Sequence, residues 1–245
     1  MYNIDGGYFM EKNRILEMQA LQQVLGIETL DLKQLSIALT HPSYAVENSD
    51  SEDNQRLEFL GDAVVDLCIG EYLYIEYPDE GEGLLSKKRA TLVCEDSLAN
   101  AAKRLDLGRY LRLGRGERAN GGDERPSNLA DAWEAMSAVI YLNVGILPLY
   151  ELLLKYLAPE IALVADGYYG DYKTRLQEFV QRNGQSVSYR LLKSKGPDHN
   201  KVFTSEVCVD GVPYGIGEGK TKKLSEREAA FQALVKLGEL DDQEA

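Results

Sequence analysis

The chain has 245 residues, 44% of them apolar and 27% charged, and a net charge of −13. This length suits one or two domains, and the apolar share supports a packed core of an ordinary soluble kind. No run of about 18 apolar residues occurs, which argues against a helical membrane span, and the opening MYNIDGGYFMEKNR lacks the basic-then-apolar pattern of a secretory leader.

The charge is unevenly spread. Residues 1–170 hold 15 Lys and Arg against 28 Asp and Glu (−13), residues 171–238 hold 12 against 8 (+4), and residues 239–245 hold four acids and no base (−4). A mildly basic module therefore sits between an acidic domain and an acidic tail. The three cysteines, Cys68, Cys94 and Cys208, are odd in number and far apart, which reads as reduced thiols in a cytosol. With His41 and His199 the only histidines, a zinc site or a histidine-based triad is not expected.

In chain order, residues 10–25 and 31–40 carry apolar residues at helical spacing, and residues 41–54 read as a polar, acidic loop. Gln55–Tyr77 predicts a long helix that ends before Pro78. It is apolar nearly all round, as a buried helix is. A turn is expected at 79–83, one amphipathic helix over 84–105, a short helix or turn at 106–114, and a Gly-rich loop over 114–127. Two further apolar helices follow, at 129–145 and 146–164. Nothing in this part reads as strand, so an all-helical domain is expected over 10–164, with a linker at 165–170. From 171 to 239 the pattern changes. A helix stopped by Gly184 precedes three short β-branched and aromatic segments and a final helix, which predicts an α-β-β-β-α domain.

Two acidic pairs carry the chemistry. Glu58 and Asp62 are four residues apart, and Asp131 and Glu134 three apart, so each pair shares one face of its helix. Carboxylates in an apolar helix are costly to ionise unless a positive group offsets them. Four such oxygen donors suit a hard ion such as Mg²⁺, which typically serves phosphate chemistry. Two unrelated structural ion pairs have the same spacing, and spacing cannot show that the two helices meet. The Gly-rich loop has no G-x-x-x-x-G-K-[ST] pattern, so no nucleotide cofactor is expected. In the basic module, Lys220, Lys222 and Lys223 open the last helix, where cations oppose the helix dipole and a phosphate would suit both. His199 in the polar loop 196–201, and Gln177 and Glu178 on the first helix, complete a pattern suited to reading double-stranded RNA by shape.

These segments resemble bacterial ribonuclease III. QRLEFLGDAVVDLCIGEYLY is similar to its signature, and THPSYAVEN, LLSKKRATLV, LRLGRGERANGG and NLADAWEAMSAVIYL follow the family's order. Residues 171–238, with GPDH and T-K-K-x-S-E-x-x-A-A, are similar to its double-stranded-RNA-binding domain. The resemblance implies an all-helical endonuclease domain joined to an α-β-β-β-α RNA-binding domain. It also implies a homodimer that hydrolyses both strands of double-stranded RNA with Mg²⁺ (Mn²⁺ a substitute), leaving 5′-phosphate and 3′-hydroxyl ends in the processing of ribosomal and other structured RNAs. By motif, Glu58, Asp131 and Glu134 match the metal ligands and Asp62 the remaining catalytic carboxylate, with Glu134 serving in both sets. Glu82 matches a further acidic position near the site. Gln55 departs from the pattern, since many members carry Glu there. An amide does not hold a metal as a carboxylate does, so Gln55 is left out of the ligands. The rival reading is a regulator that binds double-stranded RNA without cutting it, which would need the acidic set to be broken.

Overall fold

The computed structural model of the protein describes residues 2–4, 8–48, 51–165, 172–196, 201–219 and 221–239. The chain divides into two compact units, residues 1–165 and 166–245. Apart from Ala165, the expected linker lies outside the described residues.

Unit one begins with a small antiparallel hairpin, β1 (Tyr2–Ile4) and β2 (Tyr8–Met10), which periodicity does not anticipate because its strands are only three residues long. Helices α1 (Lys12–Leu25), α2 (Leu32–Ala38), α3 (Pro42–Glu47) and α4 (Gln55–Glu76) follow. Then come α5 (Glu82–Leu92), α6 (Glu95–Arg104), a 3₁₀ turn (Leu107–Tyr110), α7 (Arg115–Ala119), α8 (Pro126–Val144), α9 (Ile146–Tyr156) and α10 (Ala158–Ala165).

Local chemistry explains where this differs from the sequence expectation. The polar stretch 41–54 contains α3 because Pro42 presets the first helical φ and His41 caps it, its Nδ1 accepting from the Ser43 N–H at 3.1 Å. The single helix expected over 84–105 is two. Cys94 is extended (φ −68°, ψ 158°), and the Thr91 carbonyl is satisfied by the Ser97 hydroxyl at 2.7 Å instead of by a continuing helix. The helix expected over 146–164 also breaks, at Leu157, two residues before Pro159. Within the Gly-rich loop, α7 forms one short turn of helix.

Helices α4 and α8 form the centre of the unit. From α8, the run from Asn128 to Ala130 and Ala132, Trp133, Ala135 to Ile140 are buried, with Trp133 fully so and edge-on to Tyr156 at 5.6 Å. From α4, Gly61, Val64, Val65, Cys68, Ile69 and Leu73 are buried. Its opposite face is not: Phe59 is 82% exposed, Tyr74 75%, and Leu67 and Ile75 59% each. The apolar content of α4 therefore divides between the core and an uncovered face. Buried Arg14 ties the periphery together. It donates to the Ser36 hydroxyl at 3.0 Å and the Tyr110 carbonyl at 2.6 Å, and burial lowers its guanidinium pKa to about 10.

Unit two runs α11 (Tyr172–Arg182), β3 (Val187–Lys195), β4 (Val202–Val209), β5 (Val212–Gly219) and α12 (Lys222–Lys236), with the sheet antiparallel in the order β3-β4-β5. Tyr172, Leu176 and Val180, spaced by four along α11, pack on Val207, Val209, Phe231 and Leu234. The β4–β5 hairpin turns on Asp210 and Gly211, both at positive φ (47° and 80°), as a two-residue turn of this hand requires. Along β5 every second residue from 215 to 219 is glycine. A Cβ on Gly217 would lie 2.2 Å from the Ala229 nitrogen, so this glycine stripe is what lets α12 lie directly on the sheet.

Candidate active site

The site is built where α4 and α8 cross. A Cβ on Gly61 would stand 1.8 Å from the Glu134 carbonyl oxygen, so the two backbones touch at this residue pair. Glu58 lies about one turn before Gly61 and Asp62 directly after it, and Asp131 and Glu134 flank the same point on α8. The crossing thus brings the two acidic pairs together, which sequence spacing could not show.

Their electrostatics record that proximity. Burial pushes the Glu134 carboxyl up to about 8, and the charges of Asp62, Asp131, Glu58 and Asp66 push the same way. The Glu58 pKa is raised by burial, then by Asp131, Asp53 and Asp62. Burial likewise raises Asp131, while nearby His41 opposes the rise. None of Glu58, Asp62, Asp131 and Glu134 forms an ion pair with Lys or Arg among the described residues. Three partly buried carboxylates, Glu58, Asp131 and Glu134, with exposed Asp62 beside them and no cationic side chain among the described residues paired to any, are what a hard divalent cation offsets. The donor set, all oxygen, fits Mg²⁺. Among the described residues no group of three or more acids, histidines or cysteines already stands in ligating geometry.

Four neighbours are not singled out by the sequence: Asp53 beside Glu58, Asp66 beside Glu134, and His41 and Glu95 beside Asp131. Asp66 was legible, because it continues the i, i+4 stripe of Glu58 and Asp62. His41 was not, because only the fold carries it there. Gln55 is the first residue of α4 and exposed, its backbone N–H donating to Asp53 at 3.2 Å. Glu82 is not part of the cluster. It is the first residue of α5, beyond the far end of α4, and the 14 residues from Asp62 to Glu76 alone span about 21 Å of helix. Its carboxylate accepts from the Ser86 hydroxyl at 2.8 Å.

In unit two, Gln177 and Glu178 are exposed on α11, opposite its buried stripe. Lys222 and Lys223 are exposed in the first turn of α12, which is capped by the Thr221 hydroxyl accepting from the Leu224 N–H at 3.1 Å. Below them, fully buried Ser225 shares a 2.7 Å hydrogen bond with Ser205 and pins this helix end to β4. His199 and Lys220 lie outside the described residues.

A helical unit with a carboxylate cluster, joined to an α-β-β-β-α module with lysines at a helix start, defines an RNA-directed nuclease with its own binding domain. Residues 31–161 match the ribonuclease-III-like family and residues 172–237 the double-stranded RNA binding motif. The chain is 49% identical over 224 residues to ribonuclease 3 of Pelotomaculum thermopropionicum, covering 90% of this chain and 93% of that protein. It is 45% identical to ribonuclease 3 of Bacillus cereus, again over 224 residues, covering 90% and 91%. Among solved structures, a nuclease domain of ribonuclease III from Campylobacter jejuni matches at a TM-score of 0.54 and 42% identity, covering 58% of this chain and 97% of that domain. The chain belongs to the ribonuclease III family. It is a double-stranded-RNA endonuclease, and no helix among the described residues is long and apolar enough to cross a membrane.

Proposed function

We propose that the protein hydrolyses phosphodiester bonds in both strands of double-stranded RNA with Mg²⁺, Mn²⁺ being a substitute, and leaves 5′-phosphate and 3′-hydroxyl ends. The observation that carries this is the backbone contact of Gly61 with Glu134, which gathers four carboxylates without a cationic partner among the described residues. Glu58, Asp131 and Glu134 would hold the ion, and Asp62 would orient water and accept a proton. When bound, Mg²⁺ supplies Lewis-acid chemistry, lowering the pKa of water and offsetting charge on a phosphoryl oxygen. The half-buried setting of Glu134 limits access of bulk water and strengthens each electrostatic contact. Natural substrates of this activity would be ribosomal RNA precursors and other structured RNAs. Three unpaired cysteines suit a reducing, cytosolic setting.

A homodimer accounts for two otherwise unexplained features. The first is the uncovered face of α4, on which Phe59 and Ile75 lie eight residues either side of Leu67. A two-fold axis near Leu67 sets Phe59 of one copy against the groove of about 340 Å³ lined by Tyr74, Ile75, Tyr77, Pro78, Glu80 and Leu85 of the other. The second is the isolation of Glu82. The same antiparallel pairing carries it toward the Glu58–Asp62 end of the second copy, where it acts as an accessory acid.

For binding, Gln177, Glu178 and the loop carrying His199 would contact the minor groove, and Lys220, Lys222 and Lys223 the phosphates between. In the double variant Lys222→Ala, Lys223→Ala, filter binding at several salt concentrations should show weaker affinity. The log–log salt slope should flatten by about one unit per lost phosphate contact. An unchanged slope removes those lysines from the interface. The overall reading is tested by incubating long double-stranded RNA with the protein in Mg²⁺ and, separately, in EDTA. Cleavage in Mg²⁺ alone is expected. Binding without cleavage in both would make the protein a regulator instead.

A further inference from the structure

Lys88 is the one charged residue among the buried positions of α5; its only buried companion there is Leu92. Its side chain is 3% exposed. Its Nζ lies 2.5 Å from Glu80 Oε1 and 3.4 Å from the centre of the Tyr77 ring. The second oxygen of Glu80 is buried and has no hydrogen-bond partner. Taking the Lys88 ammonium and one Glu80 oxygen out of water is costly, whereas a leucine or methionine would fasten α5 at no such cost. What the buried lysine adds over an apolar anchor is direction: a charge-assisted bond to partly exposed Glu80 on one side and a ring face on the other.

The place where direction matters is the start of α5. Glu82 stands between Gly81 and Gly83, and a Cβ on either would meet nothing within 4 Å. This backbone is held by the Leu84 and Leu85 N–H groups donating to the Gly81 carbonyl at 3.1 Å, with no side chain packed on either glycine, and two glycines widen the conformations open to the turn. The turn before it is closed by a single 3.2 Å hydrogen bond from the Glu80 N–H to the Tyr77 carbonyl. Both ends of that bond are held by Lys88.

We propose that Lys88 is a positioning residue for Glu82: through Glu80 and Tyr77 it fixes the turn from α4 to α5, and so fixes how the accessory acid is presented. This rests on the reading of Glu82 given above. Lys88→Met alone leaves Glu80, with one oxygen buried, without its cation and is expected to unfold part of the population. The informative variant is therefore Lys88→Met with Glu80→Gln, which removes both charges at similar volume.

The test is steady-state cleavage of double-stranded RNA by the full chain in Mg²⁺, with melting curves alongside. Four proteins are compared: wild type, the paired variant, Glu82→Gln, and all three substitutions together. The paired variant should melt close to wild type, keep its KM within about twofold, and lose about tenfold or more in kcat, the scale of a small misplacement of a catalytic group. In the Glu82→Gln background the same pair should change kcat less than twofold, because the group it positions is gone. Wild-type kcat in the paired variant overturns the proposal, and so does a full additional loss on top of Glu82→Gln. If Glu82→Gln itself cleaves like wild type, the accessory role of Glu82 falls and the proposal falls with it.

Discussion

Glu134→Gln is expected to lower Mg²⁺-dependent cleavage by about 10³-fold, the scale lost when one group that stabilises transition-state charge is removed. Binding to double-stranded RNA in EDTA should be unchanged, because the RNA contacts are assigned to the other unit. The pKa of about 8 adds a second readout. The unfolded carboxyl titrates near 4.5 and the folded one near 8, so between these values the folded protein holds a proton that the unfolded chain has lost. Stability without metal therefore falls as pH rises through that window. Gln has no such proton, so the variant should lose less of its melting temperature between pH 5 and 8 in EDTA. A divalent ion must displace the same proton, so the Mg²⁺ needed by the wild type should decrease as pH approaches 8. Robust Mg²⁺-dependent cutting by Glu134→Gln would sink the metal assignment.

Gly61→Ala should be nearly as damaging, although it removes no reactive group. In an ordinary helix interior this change gains about 0.5–1 kcal/mol. Here the new methyl would stand 1.8 Å from a backbone carbonyl oxygen, and backbone cannot swing aside as a side chain can. Overpacking of this kind costs about 3 kcal/mol or more, so the clash wins over the propensity. Denaturation should show a net loss of about 2 kcal/mol or more, or about 4–8 °C in melting temperature. Cleavage at a temperature where the variant stays folded should fall by about 10²-fold, because separating α4 from α8 parts the two carboxylate pairs. Wild-type cleavage by this variant would show that the crossing does not build the site.

Much of the fold was legible because its signals are local. The spacing of Tyr172, Leu176 and Val180 marks the buried stripe of α11, and Asp210-Gly211 marks the hairpin. Two of the misreadings share one cause: local hydrogen bonds and proline outvoted periodicity and composition. The 84–105 pattern is helical throughout, yet Ser97 takes the Thr91 carbonyl and Cys94 extends the chain. His41 and Pro42 start a helix in a stretch whose composition reads as loop. The uncovered face of α4 was invisible to composition, because an apolar residue reads the same whether it faces the core or solvent.

The sequence by itself determined which residues share a helical face, and so paired Glu58 with Asp62 and Asp131 with Glu134; a period of 3.6 residues is a property of the local backbone. It also determined the basic character of residues 171–238 and the ordered motifs of the family. Only the tertiary structure decided that the two pairs meet, because that depends on a backbone contact between residues 73 positions apart, permitted by a missing side chain at Gly61. Only the tertiary structure separated Glu82 from them, because the length of α4 sets its distance, and placed His41 beside Asp131. Charge interactions act through space, and no spacing rule along the chain reports them.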